Sequence, residues 1–487
     1  MPSPADPSFL NDNIEMTSAS LISSDGSHVD IRYQIADLSI KENMFTQSMS
    51  ASLVILDGIG LIDKFPIVGE EFFSLRFRTP GSGNLFVTKL FAVYSISDRK
   101  KSDDRLEMYT LNMVSIESMI DTLTTVDRNY VGLRYDEIAK KVFEDFILNS
   151  DLKGGLNVKD RYIDLARFKK TIGVDRSSGL HSLTTVGDTP FKIIKKCADL
   201  AQSIDYPDSD FIFYEDRDGF NFIAISSLLE AEPIKRIGVT PPEEVVYVMG
   251  DQGIEESRQK GKFRYDLIRQ FEFNNSPDTI KSSHTGMYGN KIHAFDPILK
   301  KRNTITNNYL NIQRDKKIPS FKTLDSNNLV SEKSIHSNDT GASHSQYYIN
   351  NIFDKNYEEI EYMKNKNRIT QDTDRHLFHH DDSYKSKGRT AMKFSLLNNY
   401  TLTIAVGGNS NLVVGNIVNV ELPLSSDLEE DKLQPYTHLF GNKKSNKFLI
   451  TGLTHNFIGT AGRYFTYLTL AKDSYFNDIN TKYVGKI

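Results

Sequence analysis

Apolar and polar residues alternate along the first 117 positions of the chain, with the two-residue period of a half-buried strand. Between Val29 and Ile35 every odd position is apolar and every even position is polar. This strand and Ile14–Ser23 flank Asp25-Gly26, a pair that favours a tight hairpin turn. Four further strands are predicted, at 49–55, 73–78, 85–97 and 105–116. Six short strands with short turns predict an antiparallel β domain over residues 1–117.

The hydrophobic period then becomes helical. Tyr135–Leu148 places Ile138, Val142 and Phe146 on one face of a predicted helix. A second helix is predicted to begin at Thr189 as N-cap, with Pro190 in its first turn. Its apolar stripe consists of Ile193, Cys197, Leu200 and Ile204. These features predict a small helix-containing domain over residues 118–206.

The remainder of the chain predicts a second β domain that is split by a polar insertion. A hairpin is predicted around Arg217-Asp218-Gly219, and regular alternation returns from Thr401 onward. We therefore expect a second β domain formed by 207–249 and 389–475, an insertion with long polar loops over 250–388, and a tail over 476–487. Both β blocks contain short strands, a Gly turn, a strand that ends in Pro and a long hairpin. This shared order suggests a duplicated domain, and the fold class is β-rich α+β.

Composition indicates a folded protein with no general attraction for polyanions. Lys and Arg number 59 and Asp and Glu number 64, which gives a net charge of -5. The one cysteine, Cys197, allows no disulfide within the chain, and its place in a helical stripe favours a buried apolar role. Neither a signal peptide nor an apolar run long enough to cross a bilayer is found, so we expect synthesis in the cytoplasm and no membrane contact.

One cluster has the residue types of a metal site. His376, His379 and His380 would share one face of a helix, and Asp381 and Asp382 follow them. Because the cluster lies in the polar insertion, a solvated or interface-forming loop is favoured over a metal site. No other cofactor is expected, since the chain has neither a phosphate-binding glycine loop nor a nucleophile elbow. The acidic turn with Glu215, Asp216 and Asp218 lacks the spacing of a calcium loop and is interpreted as a plain turn.

Three segments resemble the baseplate hub family of contractile-tailed phages. The block 35–81 contains an I-x-E-N entry at Ile40–Asn43 and then Asp57–Asp63, Pro66, Gly69 and Glu71 in the spacing of the family's D-x-x-G-L segment. The helix DTPFKIIKKCADLA with the following FIFYEDRDGFNFIAIS resembles the middle of the family, and FLITGLTHNFIGTAGRYFTYLTLAKDSY resembles its end. The similarity covers about 60% of the chain, and 250–390 departs from the family pattern.

The resemblance implies a structural virion protein and not an enzyme. It implies a homotrimer in which each subunit contributes two tube-like β domains, so that a six-fold tail tube meets a three-fold central spike. The implied partners are tail tube or tube-initiator proteins, the spike and the tape measure protein, and DNA would pass only transiently. The location would be the tail baseplate. The spike would be a separate chain, because only thirteen residues follow Ser474.

Two other functions stay open at this stage. A tail-associated hydrolase of cell-wall or surface glycans would need a cleft with a carboxyl group of raised pKa. A host-surface binding module would use the polar insertion as its contact region.

Overall fold

The structure is a computed structural model that describes residues 14–23, 26–65, 67–80, 86–103, 106–149, 170–206, 209–235, 244–248, 267–275, 279–296, 301–308, 344–349, 383–421, 447–459 and 462–472. The candidate metal ligands His376, His379 and His380 and the tail 476–487 lie outside these residues. Within the described part, one large, mainly antiparallel sheet is accompanied by three small sheets and several helices. The predicted β-rich α+β fold class is confirmed.

The large sheet begins with the seven strands of the N-terminal β domain. They are β1 (Glu15–Ile22), β2 (His28–Asp30), β3 (Ile35–Asn43), β4 (Ser50–Asp57), β5 (Phe72–Arg78), β6 (Val87–Asp103) and β7 (Leu106–Ser115). A short helix, α1 (Leu61–Lys64), lies between β4 and β5. The strands follow one another in the order β3-β4-β7-β6-β5-β1-β2. We call this group of strands unit 1.

The same sheet continues into strands from the second half of the chain. They are β13 (Val246–Val248), β14 (Ile268–Asn275), β18 (Tyr400–Gly407), β19 (Ile417–Glu421), β20 (Lys447–Ile458) and β21 (Arg463–Lys472). Their order is β14-β18-β21-β20-β19-β13, and we call them unit 2. The two units match strand for strand, with β3, β4, β7, β6 and β5 equivalent to β14, β18, β21, β20 and β19. The strand β14 lies within the predicted insertion 250–388, yet it belongs to this sheet.

Irregularities at two corresponding places in the strands support this equivalence. In β3 the residue after Ile35 has no partner in β4, and in β14 the residue after Ile268 has no partner in β18. In the same way, the residue after Val93 in β6 has no partner in β7, and the residue after Ile450 in β20 has no partner in β21. Because a bulge shifts the register of everything beyond it, matching bulges at matching sites support the duplication more strongly than strand order alone.

A small α/β domain packs against unit 1 around an apolar core to which unit 1 contributes Ile22, Phe72 and Leu90. Its helices are α2 (Ile116–Leu123), α3 (Tyr135–Val142), which continues as a π-helical segment over Phe143–Leu148, and α4 (Pro190–Leu200). Its strands are β8 (Val126–Leu133), β9 (Thr171–Val174), β10 (His181–Asp188), β11 (Phe211–Glu215) and β12 (Gly219–Ala224), and α5 (Ile225–Glu230) follows. The β11–β12 hairpin, which falls in the predicted segment 207–249, pairs with β9. One of its faces packs in this domain, and Ile212 and Tyr214 on the other face pack in the core of unit 2.

A three-stranded sheet and a long helix form the described part of the insertion. The strands are β15 (Gly289–Asp296), β16 (Lys301–Asn308) and β17 (His344–Ile349), after the short helix α6 (Thr279–His284). The long helix α7 (Ser383–Asn399) crosses this sheet at Gly388, where an added Cβ would lie 2.0 Å from Nδ2 of Asn307. Only glycine permits this close approach of helix and sheet.

One predicted strand is broken in the structure. The sequence predicts continuous β structure from Val29 to Ile40, but residues 32–34 form a turn between β2 and β3. Asp30 Oδ1 accepts a hydrogen bond from the Arg32 N–H, and Gln34 donates its N–H to the Ile31 carbonyl. The turn moves Tyr33 out of the apolar face, and its side chain is 90% exposed.

The described helices include none that is long and apolar enough to span a bilayer.

Candidate assembly interface

The two units are joined edge to edge by strands from opposite ends of the chain. β3 of unit 1 pairs antiparallel with residues 452–458 of β20 in unit 2. In this pairing Ser39 lies opposite Asn456, and Lys41 lies opposite Thr454. The first part of β20 pairs on the same edge with β19. The part of β20 that does not pair with β19 of unit 2 is therefore the part that pairs with β3 of unit 1.

Aromatic side chains at the tip of the β20–β21 hairpin enter the core of unit 1. Phe457 packs on Phe77 with ring centroids 5.0 Å apart, and it stacks on Tyr464 at 4.5 Å. The Tyr464 hydroxyl and Nδ1 of His455 form a hydrogen bond at 2.8 Å. Burial lowers the pKa of His455 to about 3, so the imidazole is neutral and can accept this bond. Unit 2 thus completes the core of unit 1.

Glu42, in the I-x-E-N segment, is buried at the junction of the units. It is 2% exposed, and its Oε2 has no hydrogen-bond partner. Burial raises the pKa of Glu42 to about 8, although the positive charge of Lys89 and a hydrogen bond from the Val414 N–H act in the opposite direction. The negative charge of Asp216 adds to the increase. The Glu42 carboxyl is therefore mostly protonated at neutral pH.

Lys89 ties unit 1 to the β11–β12 turn of the small domain. Its ammonium donates to the carbonyls of Asp216 at 3.3 Å and Arg217 at 2.7 Å. Burial and the nearby Lys170 lower the pKa of Lys89. The Asp216 carboxylate accepts the N–H groups of Asp218 and Gly219, so it shapes this turn. The acidic residues of the turn therefore have a structural role in the described fold.

A second buried ionic group anchors the small domain. Lys170 donates to Oε2 of Glu117 at 3.0 Å and also bonds Oε1 of Glu215. Burial alone would lower the pKa of Lys170, but the two carboxylates hold it above its usual range. Glu215 also accepts the N–H of Met49 at 2.9 Å, which connects this group to unit 1. Two carboxylates on one ammonium hold parts of the small domain together, and the Glu215–Met49 hydrogen bond joins this group to the sheet.

The outward face of the continuous sheet carries a polar row without charged side chains. One row of directly opposed residues crosses five strands and the junction of the units, through Asn456, Ser39, Ser52, Asn112 and Ser95. Nδ2 of Asn112 donates to the hydroxyls of Ser95 and Ser97, each at 3.1 Å. Short hydroxyl and amide side chains thus line this row, and no charged side chain interrupts it.

Sequence reasoning identified some of these residues and missed others. The predicted metal candidates lie outside the described residues, and no group of three or more potential ligands occurs within the described part. Cys197 is buried, and burial raises the pKa of its thiol. Glu42 was noted only as part of a family motif, and Lys89 was not singled out. A lysine within the apolar run Val87–Val93 was the available signal for Lys89.

Solved structures that are similar to this chain at low sequence identity include tail proteins. No family model matches the sequence, and no curated protein matches it. A tail protein from Neisseria meningitidis MC58 matches at 11% identity and a TM-score of 0.48, over 94% of this chain and 99% of that chain. The 43 kDa tail protein of prophage MuSo2 from Shewanella oneidensis matches at 10% identity and a TM-score of 0.48, over 94% and 98%. A type VI secretion system component from E. coli matches at 8% identity and a TM-score of 0.38, over 94% and 76%. The roles of single residues here rest on this chain's own contacts.

Proposed function

We propose that the chain is a structural protein of a phage-type tail baseplate and acts as its hub. As a homotrimeric ring it joins a hexameric tail tube to a trimeric central spike. The observation that carries the proposal is the repetition of one strand order in two units of a single sheet. A protein with two equivalent units per chain presents six units when three copies surround one axis. Such a ring matches six-fold symmetry on one side and three-fold symmetry on the other.

In this proposal unit 2 consists of β13, β14 and β18–β21, and unit 1 corresponds to the first tube-like domain, residues 1–117. Tail tube or tube-initiator proteins bind the side where the units are alike. The spike binds the opposite side, where one small domain per chain reduces the symmetry to three-fold. The tape measure protein is a further candidate partner. The ring acts in the virion tail after synthesis in the host cytoplasm.

The uncharged polar row supports a role of the outward sheet face as the lining of a channel. Lysine and arginine side chains that neutralise phosphates hold nucleic acid through counterion release. A lining of Ser and Asn side chains offers hydrogen bonds without that attraction, so DNA can pass without being retained. The row crosses the junction of the units without interruption, as a continuous ring wall requires.

The mass and shape of the purified protein test the proposal. We expect light scattering to give three times 55.4 kDa and negative-stain images to show rings with a central channel. If the protein alone is a monomer, mixing with its spike should produce the ring. A monomer in both conditions contradicts the proposal.

Glycan hydrolysis is tested separately with purified cell walls and surface polysaccharide. The hub proposal predicts that the turbidity of a cell-wall suspension stays constant and that no reducing ends are released. Steady release of reducing ends would favour the hydrolase hypothesis instead.

A further inference from the structure

The internal junction provides a template for a contact between copies. Within one chain, the distal part of β20 pairs with β3. The equivalent of β20 is β6, in which the part from Ser95 to Asp103 lies beyond the residues that pair with β5. The equivalent of β3 is β14, which pairs only with β18 among the described strands. Within the part of the chain that the structure describes, there is therefore one open edge of the β20 type and one open edge of the β3 type. Six strands separate them in the sheet order, so they are held apart within one chain.

The matched bulges and the strand partners together transfer the register of the internal junction to these two edges; β6 has a further bulge between Ser97 and Lys100 that β20 lacks. Ile35 corresponds to Ile268, so Ser39 corresponds to Glu272. In β6 and β20, Lys100 and Asn456 are equivalent, because their partners Met108 and Phe465 hold the same place in β7 and β21. The internal pair Ser39–Asn456 therefore becomes Glu272 opposite Lys100.

The side chains at the two edges agree with this register. Glu272 and Lys100 are both exposed, carry opposite charges and lie on the outward face of the sheet. On the inner face, Phe273 is 48% exposed, whereas its counterpart Ile40 is 1% exposed beneath the internal junction. A neighbouring β6 edge would cover Phe273 as β20 covers Ile40.

We propose that β14 of one copy pairs antiparallel with the distal part of β6 of a second copy, and that Glu272 and Lys100 form an ion pair that selects the register. This inference rests on the proposed ring and names its contact. Strand pairing and the covering of Phe273 provide most of the affinity, because exposed ion pairs contribute little. The ion pair discriminates between registers, since a slip by two residues would keep Phe273 on the inner face but move Glu272 away from Lys100.

Paired cysteines test the contact directly. Directly opposed residues of antiparallel strands bring their Cβ atoms to about 4.5–5.5 Å, within reach of a disulfide after small adjustment. We expect the double variant Glu272→Cys, Lys100→Cys to form covalent dimers and trimers on mild oxidation. The register control Glu272→Cys, Lys101→Cys should give at least ten-fold less product, because Lys101 points to the other face. The buried Cys197 is common to both variants.

Charge reversal gives a second readout. Lys100→Glu and Glu272→Lys should each weaken self-association by about three-fold or more, and their combination should restore it. A wild-type trimer that gives equal cross-linking in both cysteine variants, with no rescue by the double reversal, would overturn this contact and leave the ring in place. A wild-type monomer, with or without the spike, would instead contradict the ring itself.

Discussion

Thr79 and Ser410 bond to each other reciprocally across the junction of the two units. The Thr79 N–H donates to the Ser410 hydroxyl at 3.1 Å, and the Ser410 N–H donates to the Thr79 hydroxyl at 2.8 Å. Both side chains are buried, so neither N–H has access to water as a substitute partner. Two residues far apart in the chain thus provide the hydrogen-bond acceptors for each other's backbone N–H groups at the end of β5.

Replacement of Thr79 by Val tests this reciprocal bond. The variant keeps the side-chain shape but leaves the buried Ser410 N–H without its acceptor, and we expect a loss of about 1–3 kcal/mol in the free energy of unfolding. Urea denaturation measures the loss. Thr110→Val on the outward face of β7 is the matched control and should change stability by less than about 0.5 kcal/mol. Equal stability of the two variants would show that the bond is not needed.

Glu42 should make stability depend on pH. Its folded pKa of about 8 lies above the value of an unfolded Glu, so the folded state alone binds a proton between about pH 4.5 and pH 8. The stabilising contribution is complete below about pH 4.5 and is lost as the pH rises through 8. The slope from this group is about -1.4 kcal/mol per pH unit across that window.

Glu42→Gln removes the titrating group. The free energy of unfolding of this variant should therefore depend less on pH, by up to about 1.4 kcal/mol per pH unit. Urea denaturation between pH 5 and pH 9 checks this expectation, with Glu70→Gln at an exposed site as the control. Parallel profiles for the wild type and Glu42→Gln would contradict the assignment.

Gly408 should not tolerate a side chain. A Cβ at this position would lie 2.0 Å from Cδ1 of Tyr464, whose ring is fixed by Phe457 and His455. We expect Gly408→Ala to cost about 1–3 kcal/mol, measured by thermal and urea denaturation. Gly58→Ala, where the nearest atom would be 3.8 Å away, is the control for loss of a glycine. A fully stable Gly408→Ala variant would mean that the Tyr464 ring can move aside.

Lys170 should be essential for the stability of the small domain. Lys170→Met leaves Glu117 and Glu215 buried without their cation, and we expect a loss of about 3–5 kcal/mol. Limited proteolysis and urea denaturation should show earlier opening of this domain than in the exposed control Lys195→Met. Identical digestion patterns for the two variants would contradict the role of this ion group.

Local patterns in the sequence predicted many individual elements. Alternation located the hairpins β6–β7 and β20–β21, and the proline after Thr189 located the start of α4, because these signals depend only on neighbours in sequence. The strand β14 was missed, since its apolar residues Phe271 and Phe273 stand in polar surroundings that suggest a loop.

Long-range relationships could not be predicted in the same way. The pairing of β3 with β20 and the burial of Glu42 depend on which surfaces meet, and no local period encodes that choice. Tyr33 fits the alternation of its neighbours, and only the side-chain bond of Asp30 to the backbone turns it outward.

The pairing of β3 with β20 also sets an order of events during synthesis. The edge of β3 leaves the ribosome early, whereas its partner is translated about 400 residues later, which at ~5–20 residues per second is roughly 20–80 s. Throughout that interval the nascent chain presents an unpaired strand edge that equivalent edges of neighbouring nascent chains can fill. Chains on one polysome therefore compete with the chain's own C-terminal half, and slower translation should increase mispaired products.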